Sequence, residues 1–247
     1  IYKCLTPMQL SSVAEQLGKK QVLSETFALC GHNVSLAELK GIYEWQMSHG
    51  INLLCQHLEG YSIRGMRKRD YPPAMYYQQP WWCEYKRFND AMSRVGMILS
   101  EGEKKADILL LHPITTAWSL YDDGENKGID ELNEKFLSCI NELEEKHVIY
   151  HLGDEIIMER HAEVKNGKLI IGCQEYSAVI TSCCEEMLPN TKKLLEKFRE
   201  QGGKICSACE IAENRVIDNK DITYTKRSYA DCTVHYFVNT SNQRKNA

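Results

Sequence analysis

The 247-residue chain has no apolar run near the ~20 residues that a membrane-spanning helix needs, so a membrane partner is not expected. It has no block of basic residues either. The longest run, Arg67-Lys68-Arg69, adjoins Asp70 and reads as a solvated loop, and the net charge is −4. Binding to nucleic acid depends on neutralising phosphates with clustered Lys and Arg, so a nucleic-acid partner is not expected. No G-x-G-x-x-G and no phosphate-cradling P-loop occurs, which removes the usual nucleotide signals. There is no internal repeat, no low-complexity segment and no visible secretory leader. The chain opens on Ile1 rather than Met, and the expectation is that it starts inside a longer protein.

What is present is an ordinary globular composition, 43% apolar and 26% charged, enough for one large or two small domains. Cysteine is abundant, at eleven residues, an odd number. Cys55, Cys139 and Cys206 fall within expected strands or helices rather than in the loop-rich spacing of a small disulfide scaffold. Reduced thiols and a cytoplasmic setting are therefore expected. Asn33-Val34-Ser35 and Asn239-Thr240-Ser241 have the form of glycosylation sequons and would matter only in a secretory pathway.

Hydrophobic spacing predicts a helix over 10–17 stopped by Gly18, and a short strand over 21–24. Ser35-Leu36-Ala37-Glu38 has the capping-box form, so a helix should start at Leu36, with Leu36, Leu39, Tyr43 and Met47 on one face. A buried strand should follow over 51–56, then a long loop over 60–79. Pro80 suits the first position of an amphipathic helix carrying Trp81, Tyr85, Phe88, Met92, Val95 and Leu99 inward. Further on, strands are expected over 107–112, 147–152, 177–182 and 204–207, with helices marked by Ile129 to Leu143 and opened by Pro189. Asn166-Gly167 signals a turn between extended pieces over 162–165 and 168–172. This alternation predicts an α/β fold built on parallel sheet. Beyond Cys209 the pattern changes to isolated strands over 222–225 and 233–239.

The first expected strand ends on a carboxylate, Glu25, and the next on an imidazole, His57. Functional groups of parallel α/β folds gather at the carboxyl ends of strands. Glu25 is therefore the catalytic candidate, as nucleophile, general base or general acid; the structural alternative is a loop cap or an ion pair. His57, Glu59 and Tyr61 could bind a polar substrate such as a sugar, or lie in an ordinary surface loop. Tyr71, Tyr76, Tyr77, Trp81 and Trp82 surround Pro72, Pro73 and Pro80, and packing accounts for most of that cluster. Asp154-Glu155 follows a strand but reads first as a helix cap. Cys183-Cys184 follows a strand as a nucleophile would, yet T-S-C-C-E-E lacks the glycines of a nucleophile elbow. Cys206 and Cys209 form a C-x-x-C that Cys183 and Cys184 could complete as a zinc site, a weak signal. No metal and no cofactor is expected.

The run SSVAEQLGKKQVLSETF, LAELKGIYEWQMSHGINLLCQH, YPP and WWCEYKRFNDAMSRVGMILSEG, over residues 8–102, resembles the last part of the catalytic barrel of glycoside hydrolase family 106, the α-L-rhamnosidases. ADILLLHPITTAW, GKLIIGCQEYSAVITS and LLEKFREQGGKI resemble the class I glutamine-amidotransferase-like domain that follows such a barrel. The resemblance implies the last βα units of a (β/α)8 barrel over 1–102 and a catalytically silent, flavodoxin-like parallel sheet with helices on both faces over 105–212. A β-strand tail over 213–247 would lead to a further β-domain. It implies hydrolysis of glycosidic bonds, α-L-rhamnosides among them, with a carbohydrate as substrate. Glu25 matches the acidic residue after the penultimate barrel strand, and His57 a position facing the sugar. The partner carboxylate is expected on an upstream strand outside this chain, leaving this piece inactive alone. Two βα units would expose a sheet edge, through which a homo-oligomer could form. The alternative is a non-catalytic assembly or carbohydrate-binding module built on the amidotransferase-like part.

Overall fold

Asn52 fixes the first pairing of the molecule. In the computed structural model, which describes residues 5–69, 75–122, 126–241 and 243–245, its side-chain oxygen accepts from the Val22 amide at 2.9 Å and its side-chain nitrogen donates to the Lys20 carbonyl at 2.8 Å. That staple sets strand β1 (Leu23–Thr26) parallel to β2 (Leu53–Gln56), with Leu23 opposite Leu53 and Glu25 opposite Cys55. Between them runs α2 (Leu36–Ser48), started by the Ser35–Glu38 capping box that the sequence spells out. Helix α3 (Tyr85–Ser100) follows β2. Phe27, Leu39, Tyr43, Met47, Phe88, Met92 and Leu99 form the core under the strand pair.

Strand side chains alternate between faces, and here the two faces differ sharply. Thr26, Leu54 and Gln56 turn toward the helices, while Leu23, Glu25, Leu53 and Cys55 lie exposed on the other side. The expectation of a buried strand over 51–56 is corrected on this point: Ile51 and Asn52 are buried, but the strand itself has one open face. The strand expected over 21–24 sits two residues later, so Glu25 lies inside β1 rather than beyond it. Pro80 does not open α3 either. A 3-10 turn over Trp82–Glu84 intervenes, and the helix proper starts at Tyr85.

A second sheet is parallel throughout and is built of β3 (Ile108–Leu111), β4 (Tyr150–Gly153), β8 (Ala178–Ile180) and β9 (Lys204–Cys206). Their order across it is β4-β3-β8-β9. Leu110 and Ile180 face α5 (Lys127–Glu145), whose Leu132, Phe136, Ile140 and Leu143 are buried. Leu109, Leu111 and Val179 face the other way, with Leu195 and Phe198 of α7 (Pro189–Glu200). Both faces are covered, as parallel sheets require. The short helix α6 (Glu155–His161) stands behind its expected Asp154 cap, whereas α4 (Ile114–Leu120) was not foreseen, because its Ile-Thr-Thr start is β-branched. The antiparallel β5 (Ala162–Lys165), β6 (Lys168–Ile171) and β7 (Gln174–Tyr176) make a side sheet. Asn166 and Gly167 both have positive φ, 53° and 70°, the backbone that a two-residue I′ hairpin turn demands. The two late strands are not isolated. β10 (Thr223–Ser228) and β11 (Thr233–Val238) pair as an antiparallel hairpin, and Tyr236 packs on the first core.

Helix α1 (Thr6–Gln16) joins these parts through a polar buried face. Ser11 donates to the His49 carbonyl at 2.7 Å, and Ser12 accepts from the Leu152 amide at 2.9 Å. Gln16 donates to the Leu152 carbonyl and the Tyr176 hydroxyl, at 3.1 and 3.0 Å, and that hydroxyl is hydrogen-bonded to His151 Nδ1 at 2.9 Å. Glu15 meets Arg227 of β10 at 2.7 Å, with both side chains nearly buried. Gly172 must be glycine: its φ is +56°, and a Cβ would stand 2.2 Å from the Gln16 carbonyl oxygen.

Replacing Glu15 with Gln would strand a buried guanidinium and should cost about 3–5 kcal/mol. The expected readout is a lower urea midpoint; an unchanged midpoint would mean that the pair does not form in solution. His151 is fully buried, and burial, reinforced by the Lys104 charge, holds its imidazole well below the ordinary value. A depressed imidazole contributes stability that is complete above the unfolded value of about 6.5 and is lost as pH falls through the gap, because the unfolded chain takes up the proton first. His147, also depressed by burial, acts in the same direction. Denaturation midpoints should therefore fall steadily from about pH 7 to about pH 5, and a flat curve over that range would contradict the buried neutral state.

Candidate functional site

The carboxyl ends of β1 and β2 lie side by side because the strands are parallel and in register. His57, the first residue beyond β2, continues the ladder by donating its amide to the Thr26 carbonyl at 2.8 Å. Its Nε2 then stands 3.6 Å from Glu25 Oε1. The carboxylate is 62% exposed and the imidazole 20%. The two sequence candidates are thus brought together on the open face of the strand pair. An accessible carboxylate backed by an imidazole can take a proton from water or attack an electrophilic carbon, while the imidazole holds or relays a proton.

Three features hold this rim in place. Gln46 of α2 donates to the Thr26 hydroxyl at 2.7 Å, clamping the residue after Glu25. Phe27 then turns the chain with φ of 75°, a backbone region that bulky residues rarely occupy, and is kept there by burial and by Phe88 at 6.3 Å. On the β2 side, Gln56 accepts from the Tyr85 hydroxyl and donates to Asn89 at 2.8 Å, fixing the strand end to α3. Sequence reasoning missed Gln46, Thr26, Gln56 and Asn89. The available signal was a glutamine lying between Tyr43 and Met47 on the apolar face of α2.

Glu59 and Tyr61 are carried on the loop after β2, and both are exposed. Tyr61 is 97% exposed and projects into solvent. Glu59 is close enough to act electrostatically on Tyr85 and Tyr76. The Tyr85 phenol is raised chiefly by burial and secondarily by that charge. Trp82, Tyr85 and Phe88 stack in succession at 5.5 and 5.7 Å, and Trp81 donates its indole N–H to the Val34 carbonyl at 2.8 Å. Those rings pack the wall of the rim, whereas Tyr77 stays 61% exposed beside Tyr76. Tyr71, Pro72 and Pro73 lie outside the described residues.

In the second sheet, Asp154 is the N-cap of α6, accepting from the Ile156 and Ile157 amides. Glu155 is buried and accepts from the Leu188 amide at 2.6 Å. Both carboxylates are therefore occupied in holding loops. Burial pushes the Cys183 and Cys184 thiols up to about 12, the opposite of what a nucleophile needs. Among the described residues, no group of three or more His, Cys, Asp or Glu side chains is placed to hold a metal ion. Among those residues, too, no helix is long and apolar enough to cross a membrane.

No protein-family model matches the chain, and no curated protein matches it. Among solved structures, a rhamnosidase from Novosphingobium sp. PP1Y superposes with a TM-score of 0.59 at 14% identity. The chain shares its α/β fold with part of that enzyme. The match covers 93% of this chain and 26% of the rhamnosidase, so the chain spans about a quarter of that protein's length.

A thiol pushed to about 12 is almost wholly protonated near neutral pH. Iodoacetamide at about pH 7.5 should therefore label exposed thiols such as Cys55, Cys83, Cys173 and Cys209 first and leave Cys183 and Cys184 last. Peptide mapping that found rapid, selective labelling of Cys183 or Cys184 would reinstate a thiol nucleophile in the second sheet.

Proposed function

We propose that the chain is part of a glycoside hydrolase and that Glu25 is one of its two catalytic carboxylates. The observation that carries this reading is the Glu25–His57 pair, 3.6 Å apart at the carboxyl ends of adjacent parallel strands. The face bearing Glu25 also bears Leu23, Leu53 and Cys55, all exposed. That is the pattern of an inward barrel face seen without its remaining strands. On this reading residues 1–102 are the last βα units of a (β/α)8 barrel. The second sheet, ordered β4-β3-β8-β9, follows the 2-1-3-4 order of flavodoxin-like folds and supports an amidotransferase-like domain over 105–212. The raised thiols after β8 support its being catalytically silent. The fold shared with the rhamnosidase makes α-L-rhamnosides the first substrates to try.

Glycoside hydrolysis places two carboxylates across the scissile bond. Glu25 would either draw the proton from an attacking water, inverting the anomeric centre, or attack that centre itself, retaining it. His57 would orient the Glu25 carboxylate and bond a sugar hydroxyl. Glu59 and Tyr61 would meet the sugar from the loop above. The second carboxylate would come from βα units outside these residues, since the chain corresponds to only 26% of the rhamnosidase.

An assembly module is the second reading, favoured by Trp118 and Tyr121, which stand 62% and 63% exposed at the end of α4. The two readings separate on one experiment. The full gene product is assayed against a panel of aryl glycosides, α-L-rhamnoside included, beside its Glu25→Gln variant. The expected result is cleavage of at least one substrate and a loss of 10³-fold or more, roughly, in kcat for a variant that remains folded. Equal activity of the two proteins would remove Glu25 from the reaction.

A further inference from the structure

Ten cysteines are described as free thiols. Two of them meet on one face of the second sheet. Cys139 lies on α5, and Cys183 follows β8 by three residues. Their sulfurs are 3.7 Å apart, within the same packed cluster of side chains. The Ser182 hydroxyl lies 3.6 Å from the Cys139 sulfur on the exposed side. Disulfide sulfurs sit about 2.05 Å apart, so closure needs the sulfurs to approach by under about 2 Å. The two thiols also differ in access. Cys139 is half-buried and open to small solutes, whereas Cys183 is buried behind it.

We propose that Cys139 and Cys183 form an oxidisable pair that closes to a reversible disulfide on exposure to peroxide. The Cys139 sulfur attacks one oxygen of hydrogen peroxide. The O–O bond breaks, hydroxide leaves and takes up the thiol proton as water, and Cys139 becomes a sulfenic acid. The Cys183 sulfur gives up its proton and displaces the hydroxyl group from the Cys139 sulfur. The S–S bond forms, the S–O bond breaks, and a second water departs. Two thiols and one peroxide become one disulfide and two waters, with one electron lost from each sulfur. Burial holds the Cys183 proton tightly, so its displacement of the hydroxyl group quickens as pH rises.

The bond would pin α5 to the loop after β8, across 44 positions of chain. Closing a loop of that length restricts the unfolded chain and stabilises the folded one. C-x-x-C spacing makes Cys206 and Cys209 the obvious rival in the sequence. In the structure the Cys209 sulfur bonds the Ser207 hydroxyl at 3.0 Å, while the Cys139–Cys183 approach comes from tertiary packing alone.

The test treats the reduced 247-residue chain with hydrogen peroxide, quenches it with an alkylating agent and maps peptides without reduction. Wild type, Cys139→Ser, Cys184→Ser and Cys209→Ser are compared. Cys139 is half-exposed, so its serine variant should fold. The expected product is one linked pair joining the peptide of Cys139 to that of Cys183. It should be absent in Cys139→Ser, retained in Cys184→Ser and Cys209→Ser, and reversed by dithiothreitol. The oxidised wild type should melt about 5–15 °C above its reduced form, and Cys139→Ser should show no such rise. Over-oxidation of Cys139 to sulfinic acid without a link, or a link that survives in Cys139→Ser, would overturn the proposal.

Discussion

The structure depends on one short helix whose inward face is polar. Apolar burial is non-directional, and it would let the first strand pair slide over the second sheet. Helix α1 removes that freedom with directed bonds: Ser11 to His49, Ser12 and Gln16 to the two sides of Leu152, and Glu15 to Arg227. Each partner belongs to a different element. The helix thus ties the end of α2, the strand β4 and the hairpin β10–β11 into one body. Buried polar groups of this kind cost stability unless every bond is made, and in return they permit only one arrangement.

That fixed arrangement leaves the candidate rim free to be open. The strand pair β1–β2 is backed by α2 and α3 on one face and bare on the other, so Glu25 and His57 meet where a substrate or further strands can reach them. Left-handed Phe27 and the Gln46–Thr26 bond keep the end of β1 from relaxing. Backbone strain of that type persists only where the surroundings over-determine it, and it concentrates at functional positions.

Local rules were legible in the sequence and long-range ones were not. The Ser35–Glu38 cap, the Asn166-Gly167 turn and the start of α7 at Pro189 all follow from residues a few positions apart, and each stands where expected. The exposed face of β2 was misread as buried, since Leu53 and Cys55 are apolar and nothing local reports whether a neighbouring layer exists. The inward polar face of α1 runs against hydrophobic periodicity: Leu10 is 44% exposed while Gln16 is wholly buried. The pairing of β10 with β11 lacked the tight-turn signal that marks β5–β6. At the rim, Glu25 and His57 stood out as candidates because ionisable groups at strand ends are where parallel α/β folds place chemistry. Of their supports, Gln46 was marked only by its place on the apolar face of α2, and Gln56 and Asn89 carried no mark.

The central claim is that the Glu25 carboxylate itself takes part in bond cleavage. It is tested most directly by chemical rescue, in which the full gene product carrying Glu25→Ala is assayed on its best aryl glycoside with and without sodium azide. The account predicts a folded, nearly inactive variant whose activity azide restores by about tenfold or more, with a glycosyl azide as product, because the small anion enters the space the carboxylate left. A folded variant that azide leaves inert, or one that needs no rescue, would contradict it.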